Sequence, residues 1–581
     1  MKMKWTYAIA GLSIVVMWLT VFLSGTSAQG EKADLVLKNG KIVTVDASKP
    51  EAQALAVVGD KIKAIGTNNE IEAYVGPATK VIDLEGRLAV PGFIEGHGHF
   101  MGLGNARMIL DLTKARNWDE IVAMVAEAAK KAKPGAWIFG RGWHQEKWDK
   151  PAREMVEGVP THDELSKVSP NNPVYLTHAS GHASFANALA MKLAGIGPET
   201  PNPPGGEFVR DRRGQPTGML REKAQGAVRE AIAKYQAQRS PNEIKAEQLE
   251  QVRLAGQTAL ANGVTTFHDA GSSLRTIDLF KQLADEGKLP LRLYVMVRGE
   301  SNDALAQKLP AYRLIGYGNG FLTVRSIKRQ IDGALGAHGA WLLEPYTDMP
   351  ESSGLVLEPV ADITRTGEIA IEHGFQVNTH AIGDRGNRET LNIYEKVFRA
   401  HSEKKDLRWR IEHAQHLHPD DIPRFAALGV IASMQGVHCT SDGPWVPKRL
   451  GDKRAKEGAY VWRKLWDSGA VVTNGTDVPV EDISPIQSFY ATVTRRTPDG
   501  SVFYPEERLT REEALKSYTL NNAYAAFEEN IKGSLTPGKW ADIVVLSRDI
   551  MTIPDDQIPG TEVLYTIVGG KVAYQRSAST R

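Results

Sequence analysis

The 581-residue sequence predicts an α/β fold: a (β/α)8 TIM barrel, a small β domain built from both chain ends, and a long insertion after the first barrel strand. Three observations predict it. Short apolar β-type runs alternate with helix-like segments through the middle of the chain. Both ends are β-rich and lack such helices. Residues 101–263 separate the first β-type run from the second, far more than one crossover needs.

At the N-terminal end, two β-rich runs within 33–45 flank Lys38-Asn39-Gly40 and predict a hairpin. Residues 54–58 and 61–66 predict a second, across Gly59-Asp60. Residues 81–84 lead into Val90-Pro91-Gly92-Phe93-Ile94-Glu95-Gly96-His97-Gly98-His99, the first barrel strand. Further runs at 264–268, 291–297, 324–331, 375–379, 409–413, 430–434 and 471–474 bring the barrel count to eight. Helix-like segments at 277–286, 363–372 and 388–403 separate some of them. Strands at 541–546 and 563–574, the latter turning at Gly569-Gly570, return to the β domain. The resulting division is 29–90 with 530–581 for the β domain and 91–529 for the barrel.

Residues 1–28 differ in kind. A basic start, Met1-Lys2-Met3-Lys4, precedes a largely apolar run over 5–23 and the small residues Ser24-Gly25-Thr26-Ser27-Ala28. This pattern predicts a secretory signal peptide cleaved before Gln29, hence an exported, periplasmic or secreted protein; an uncleaved anchor is the alternative. The lone cysteine, Cys439, excludes an intrachain disulfide. Hydrophobic residues at 42% suffice for a sizeable core. A formal net charge of +1 without basic runs argues against a nucleic-acid partner, and no stable membrane partner is expected after cleavage. A small-molecule substrate is expected, and a homo-oligomer stays open.

Barrel chemistry sits at the C-terminal ends of strands. Metal-competent side chains fall there: His97 and His99 on the first strand, Lys328 on the fourth, His380 on the fifth, His413 on the sixth and Asp477 after the eighth. On a strand, residues two apart share a face, so His97 and His99 can present two imidazoles to one ion. Asp477 could instead cap a helix, and any one histidine could be a core residue.

With these positions in view, the chain resembles the metal-dependent amidohydrolase superfamily, in the branch that includes N-substituted formamide deformylases. The resemblance rests on Pro91 to His99, Gly263-Val264-Thr265-Thr266-Phe267-His268-Asp269, Ile327-Lys328, Asp332-Gly333-Ala334-Leu335-Gly336, Asn378-Thr379-His380-Ala381-Ile382-Gly383-Asp384, Arg410-Ile411-Glu412-His413 and Gly475-Thr476-Asp477. It implies a β-sandwich formed by the two chain ends. It implies that His97, His99 and Asp477 bind one divalent metal and that His380 and His413 bind a second. Lys328 would bridge the two as a CO2-derived carbamate. Zinc fits the donor set best, with iron and manganese as alternatives and one or two ions. An unmodified lysine is the alternative for Lys328, because Arg329-Gln330 departs from the family pattern.

The implied activity is hydrolysis of non-peptide C–N bonds (amide, N-formyl or cyclic amide) by metal-activated water, with Asp477 as general base. His182, in Ala179-Ser180-Gly181-His182, is the candidate for contacting substrate or polarising an oxyanion; Ser180 stands where the family has an acid. A structural histidine is the alternative. Trp143 and Trp148 are read either as pocket lining or as packing within the insertion, and His268 as a support or packing residue. A lactone or phosphoester hydrolase, or a non-catalytic binding protein on the same barrel, are the competing functions.

Overall fold

Eight strands pair parallel in sequence order around a barrel: Phe93–Gly98, Val264–Ser272, Arg292–Val297, Leu322–Gln330, Gln376–Ala381, Arg410–His413, Ile431–Gln435 and Val472–Gly475. Every β-type run expected of the barrel overlaps one of them. The computed structural model describes residues 31–145, 148–179, 181, 183–204, 206–336 and 338–577. The expected signal peptide, 1–28, lies outside the described residues, as does His182. Among the described residues, no helix is long and apolar enough to cross a membrane.

The eighth and first strands close the ring without a regular ladder. Asn522 reaches between them, donating to the carbonyls of Ile94 at 2.7 Å and Asn474 at 2.8 Å. Higher up, the Glu95 carboxylate accepts from the Thr476 amide at 2.6 Å, and the Asp477 amide donates to the His97 carbonyl at 2.8 Å. Gly475 permits this approach, since a Cβ there would stand 2.5 Å from Glu95 Oε1. Closure therefore places Asp477 beside His97.

The outer helices follow from local chemistry. Ser273 caps Leu274–Asp285 by accepting from the Thr276 amide. Ser240 and Glu243 form a capping box at the start of Pro241–Ala261, with proline at the first turn. In Asp384–Ala400 the buried residues Asn387, Thr390, Leu391, Tyr394 and Val397 recur three or four apart, giving one face to the barrel.

The chain ends form two further sheets. One orders Lys61–Gly66, Ala54–Val58, Leu35–Lys38 and Lys80–Asp83. The other orders Lys571–Gln575, Val563–Val568, Ile543–Leu546, Leu88–Pro91, Lys41–Val43 and Glu51–Ala52. Leu35, Leu55 and Val57 from the first share a core with Ile543, Val545 and Ile567 from the second. The hairpin expected within 33–45 does not form. Leu35–Lys38 pairs with Ala54–Val58 and Lys80–Asp83, whereas Lys41–Val43 pairs with Glu51–Ala52 and Leu88–Pro91. Asn39, at φ 59°, turns the chain from one sheet into the other rather than back on itself.

Between the first two barrel strands lies a six-stranded sheet, running from Gly206–Arg210 at one edge to Leu110–Asp111 at the other. It has its own core around Trp118, Trp143, Leu176 and Phe185. Trp143 is fully buried there and donates to the Leu176 carbonyl at 3.0 Å; Trp148 packs 6.2 Å from it, ring to ring. Of the two readings of these tryptophans, the structure shows packing within the insertion.

Candidate metal centre

The C-terminal mouth of the barrel gathers the strand-end residues into one buried cluster. One donor atom from each of His97, His413 and Asp477 lies within 4.8 Å of the others. His99 Nε2 stands 3.2 Å from Asp477 Oδ1, and His97 Nε2 stands 3.6 Å from the same oxygen. The His380 ring is 4.4 Å from that of His413, and Lys328 Nζ is 3.3 Å from His97 Nε2. All six strand-end candidates thus converge. The tightest trio draws on both of the ligand sets expected from the sequence, the His97/His99/Asp477 set and the His380/His413 set.

Two imidazoles are oriented by partners on their far side. His97 Nδ1 donates to Glu412 Oε2, and His413 Nδ1 donates to Gln435 Oε1 at 2.8 Å. Each bond fixes the tautomer that leaves Nε2 bare, which is how proteins aim histidine at a cation. Asp332, fully buried, accepts from the amides of Trp341, Ile382 and Gly383 at 2.8–3.0 Å; its Oδ1 is 3.6 Å from His380 Nε2.

Backbone strain is concentrated here. His413 has φ 77°, Ala414 φ 44° and Asp477 φ 56°. Non-glycine residues in this region cost about 1–3 kcal/mol each and persist where the surroundings over-determine them. At His413 the turn breaks strand alternation, so Glu412 and His413, which adjacent positions would send to opposite faces, both serve the cluster.

Electrostatics favour neutral imidazoles beside an ionised Asp477 and Glu412. Burial, then Lys328, brings His97 down to about 4, despite Glu412. Burial and neighbouring cations also hold His380 and His413 well below the usual histidine range. Burial pushes Asp477 up, but the His99 hydrogen bond and the fields of His97 and His413 outweigh it, holding it well below the usual range. Burial likewise opposes ionisation of Glu412, yet His97, Arg410 and Lys328 bring it down to about 2. Lys328 falls to about 8, chiefly through burial. Glu95 and Asp332 rise to about 8 and about 7, each through burial.

The residues present fit a divalent cation. His380 Nε2 is buried and has no hydrogen-bond partner, Asp477 Oδ1 is shared between the His99 and His97 imidazoles, and one donor atom each of His97, His413 and Asp477 lies within 4.8 Å of the others. Uncompensated polar atoms are expensive to bury, and a cation would satisfy all of them at once.

Glu412, Gln435, Asp332 and Glu95 have supporting places that sequence reasoning assigned to none of them. Glu412 lies inside the Arg-Ile-Glu-His motif, so its signal was a carboxylate next to a ligand histidine. His268 is buried and bonded through Nδ1 to Arg410 at 3.2 Å.

Residues 80–574 match the Amidohydrolase family. Protein LONG AFTER FAR-RED 3 of Arabidopsis thaliana is 33% identical, over 96% of this chain and 94% of its own length. The N-substituted formamide deformylase of Arthrobacter pascens is 29% identical, over 94% of this chain and 99% of its own. An uncharacterised metal-dependent hydrolase from Pyrococcus horikoshii superposes with a TM-score of 0.72 at 26% identity, covering 90% of this chain and 99% of that one.

Proposed function

Because the chain belongs to the Amidohydrolase family, matched over residues 80–574, we propose that it is a metal-dependent hydrolase that cleaves non-peptide C–N bonds of small amides or formamides. The observation that carries this is the buried convergence of His97, His413 and Asp477, with the two imidazoles aimed by Glu412 and Gln435. The deformylase named above supports the formamide end of the range.

His97, His99, His380, His413 and Asp477 would hold the ion, zinc by donor type. When bound, a divalent cation acidifies water and polarises a carbonyl. Asp477, ionised and at the centre of the cluster, takes the proton of the attacking water and delivers it to the departing nitrogen. Amide plus water thereby gives carboxylate plus amine. Neutral Lys328 adds CO2 to form a carbamate and releases one proton, which turns a buried cation into an anionic bidentate donor. Glu412 and Gln435 keep the imidazoles in register throughout. His182 is proposed to contact substrate or polarise the developing oxyanion. The same reading includes export after cleavage at Ala28, a β-sandwich formed by the end sheets, and the insertion over about 101–263 as the wall that selects substrate.

The test is a hydrolysis screen of formamides, N-acyl amines, cyclic amides and lactones, with zinc and bicarbonate, read by NMR. Release of amine, abolished by chelation and restored by zinc, is the expected result. Protein that binds no stoichiometric metal, or that opens lactones alone, would overturn the reading.

A further inference from the structure

A β-bulge in the insertion leaves one arginine lining a pocket beside the segment that follows Asp477. Ile138–Trp143 pairs with Val174–His178, and the register shifts between Arg141 and Trp143. Gly142 sits between them at φ 104°, and a Cβ there would stand 2.5 Å from Thr113 Cγ2. Bulges re-aim side chains. Here the shift sends Trp143 into the insertion core and leaves Arg141 lining a pocket with Gly142, Ala179, Val478 and Pro479. Val478 directly follows Asp477. The pocket holds about 60 Å³. That is room for roughly two waters at about 30 Å³ each, or for one group of carboxylate size.

Arg141 is largely buried, yet the one hydrogen bond its side chain makes among the described residues is from Nη2 to the Ala179 carbonyl at 3.1 Å. No carboxylate among the described residues lies within ion-pair distance, and Asp477 is the acid whose field acts on it. A guanidinium keeps its charge in proteins and offers five donors in a fork that matches a carboxylate. Among the described residues its other four donors have no acceptor. The outer side of the pocket carries Arg107 with Asp111, Glu481 and Asp482, a net negative rim that disfavours ligands with a second negative charge.

We propose that Arg141 is a specificity-determining residue that binds a carboxylate on the substrate, so that the preferred substrates are monoanionic amides or formamides bearing one carboxylate a short distance from the scissile C–N bond. This rests on the hydrolase reading above for the bond that is cut.

The experiment separates the two claims. Binding of 4-oxopentanoate and of its uncharged counterpart 4-oxopentanamide, ketones with no C–N bond at the reacting carbonyl, is measured by calorimetry on the protein as purified. The wild type should bind the acid at least about tenfold more tightly, the scale of one charge-assisted contact. Arg141→Gln should bring the ratio close to one, and Arg141→Lys should restore part of it. Equal binding of acid and amide by the wild type, or a ratio that survives Arg141→Gln in folded protein, would overturn the assignment. In parallel, kcat/KM is compared for 3-formamidopropanoate and 3-formamidopropanamide. A preference for the acid that Arg141→Gln erases supports the proposal. Acid-selective binding by the wild type with no amide turnover would sink the hydrolase reading and leave the role of Arg141 standing.

Discussion

Replacing Glu412 by glutamine should weaken zinc binding about 10- to 100-fold while the protein stays folded. Glu412 is fully buried and accepts from His97 Nδ1, and its second oxygen has no partner. Glutamine preserves the shape, and its carbonyl can still accept that proton. It loses the charge, however, and a neutral bond contributes about 1 kcal/mol where a charged one contributes about 1.5–3. The difference, about 0.5–2 kcal/mol, corresponds to roughly a 2- to 30-fold change in affinity. Outer partners of metal-binding histidines typically matter by about 10- to 100-fold, which agrees. Competition against a chromophoric chelator gives the zinc affinity, and a urea midpoint controls for folding. Zinc affinity within about twofold of wild type, in a variant of unchanged urea midpoint, would refute the idea that Glu412 aims His97.

Three further outcomes are expected. Asp477→Asn should lower kcat by at least about 100-fold with much of the metal retained, checked by steady-state kinetics beside metal analysis; a smaller loss would remove Asp477 as the base. Asn522→Ala should destabilise the fold by about 2–4 kcal/mol in urea unfolding, since two buried carbonyls lose their shared donor at the barrel seam. With Lys328 near 8, the lysine is mostly protonated below that pH and mostly neutral above it. At fixed dissolved CO2, carbamate formation followed by 13C NMR should therefore rise with pH, more steeply below about 8 than above it because the neutral amine still releases a proton on adding CO2, and Lys328→Met should abolish the signal.

Much of the barrel was legible because its information is local. A strand declares itself by a short apolar run, and its C-terminal end by the polar residue that follows. His97, His99, Lys328, His380, His413 and Asp477 could all be picked out that way, and the structure brings all six to one mouth. Glu412 was passed over because alternation sends it away from His413, and only the φ of 77° at His413 brings both to the cluster. The failed hairpin within 33–45 has a similar cause: the strand pattern was read correctly, but the partner of each strand lies elsewhere in the chain.

By itself, then, the sequence determined the α/β alternation, the eight barrel strands and the chemical types of the strand-end donors, since these depend on residues a few positions apart. Only the tertiary structure decided which donors meet most closely, which partners aim them, and that Arg141 lines a pocket beside Val478 while Trp143 is buried in the insertion core. Those contacts join residues as distant as His97 and Glu412, 315 positions apart, and they exist only once barrel closure and the bulge at Gly142 have set side-chain directions. No local pattern encodes the direction of a side chain across a seam that the chain closes last.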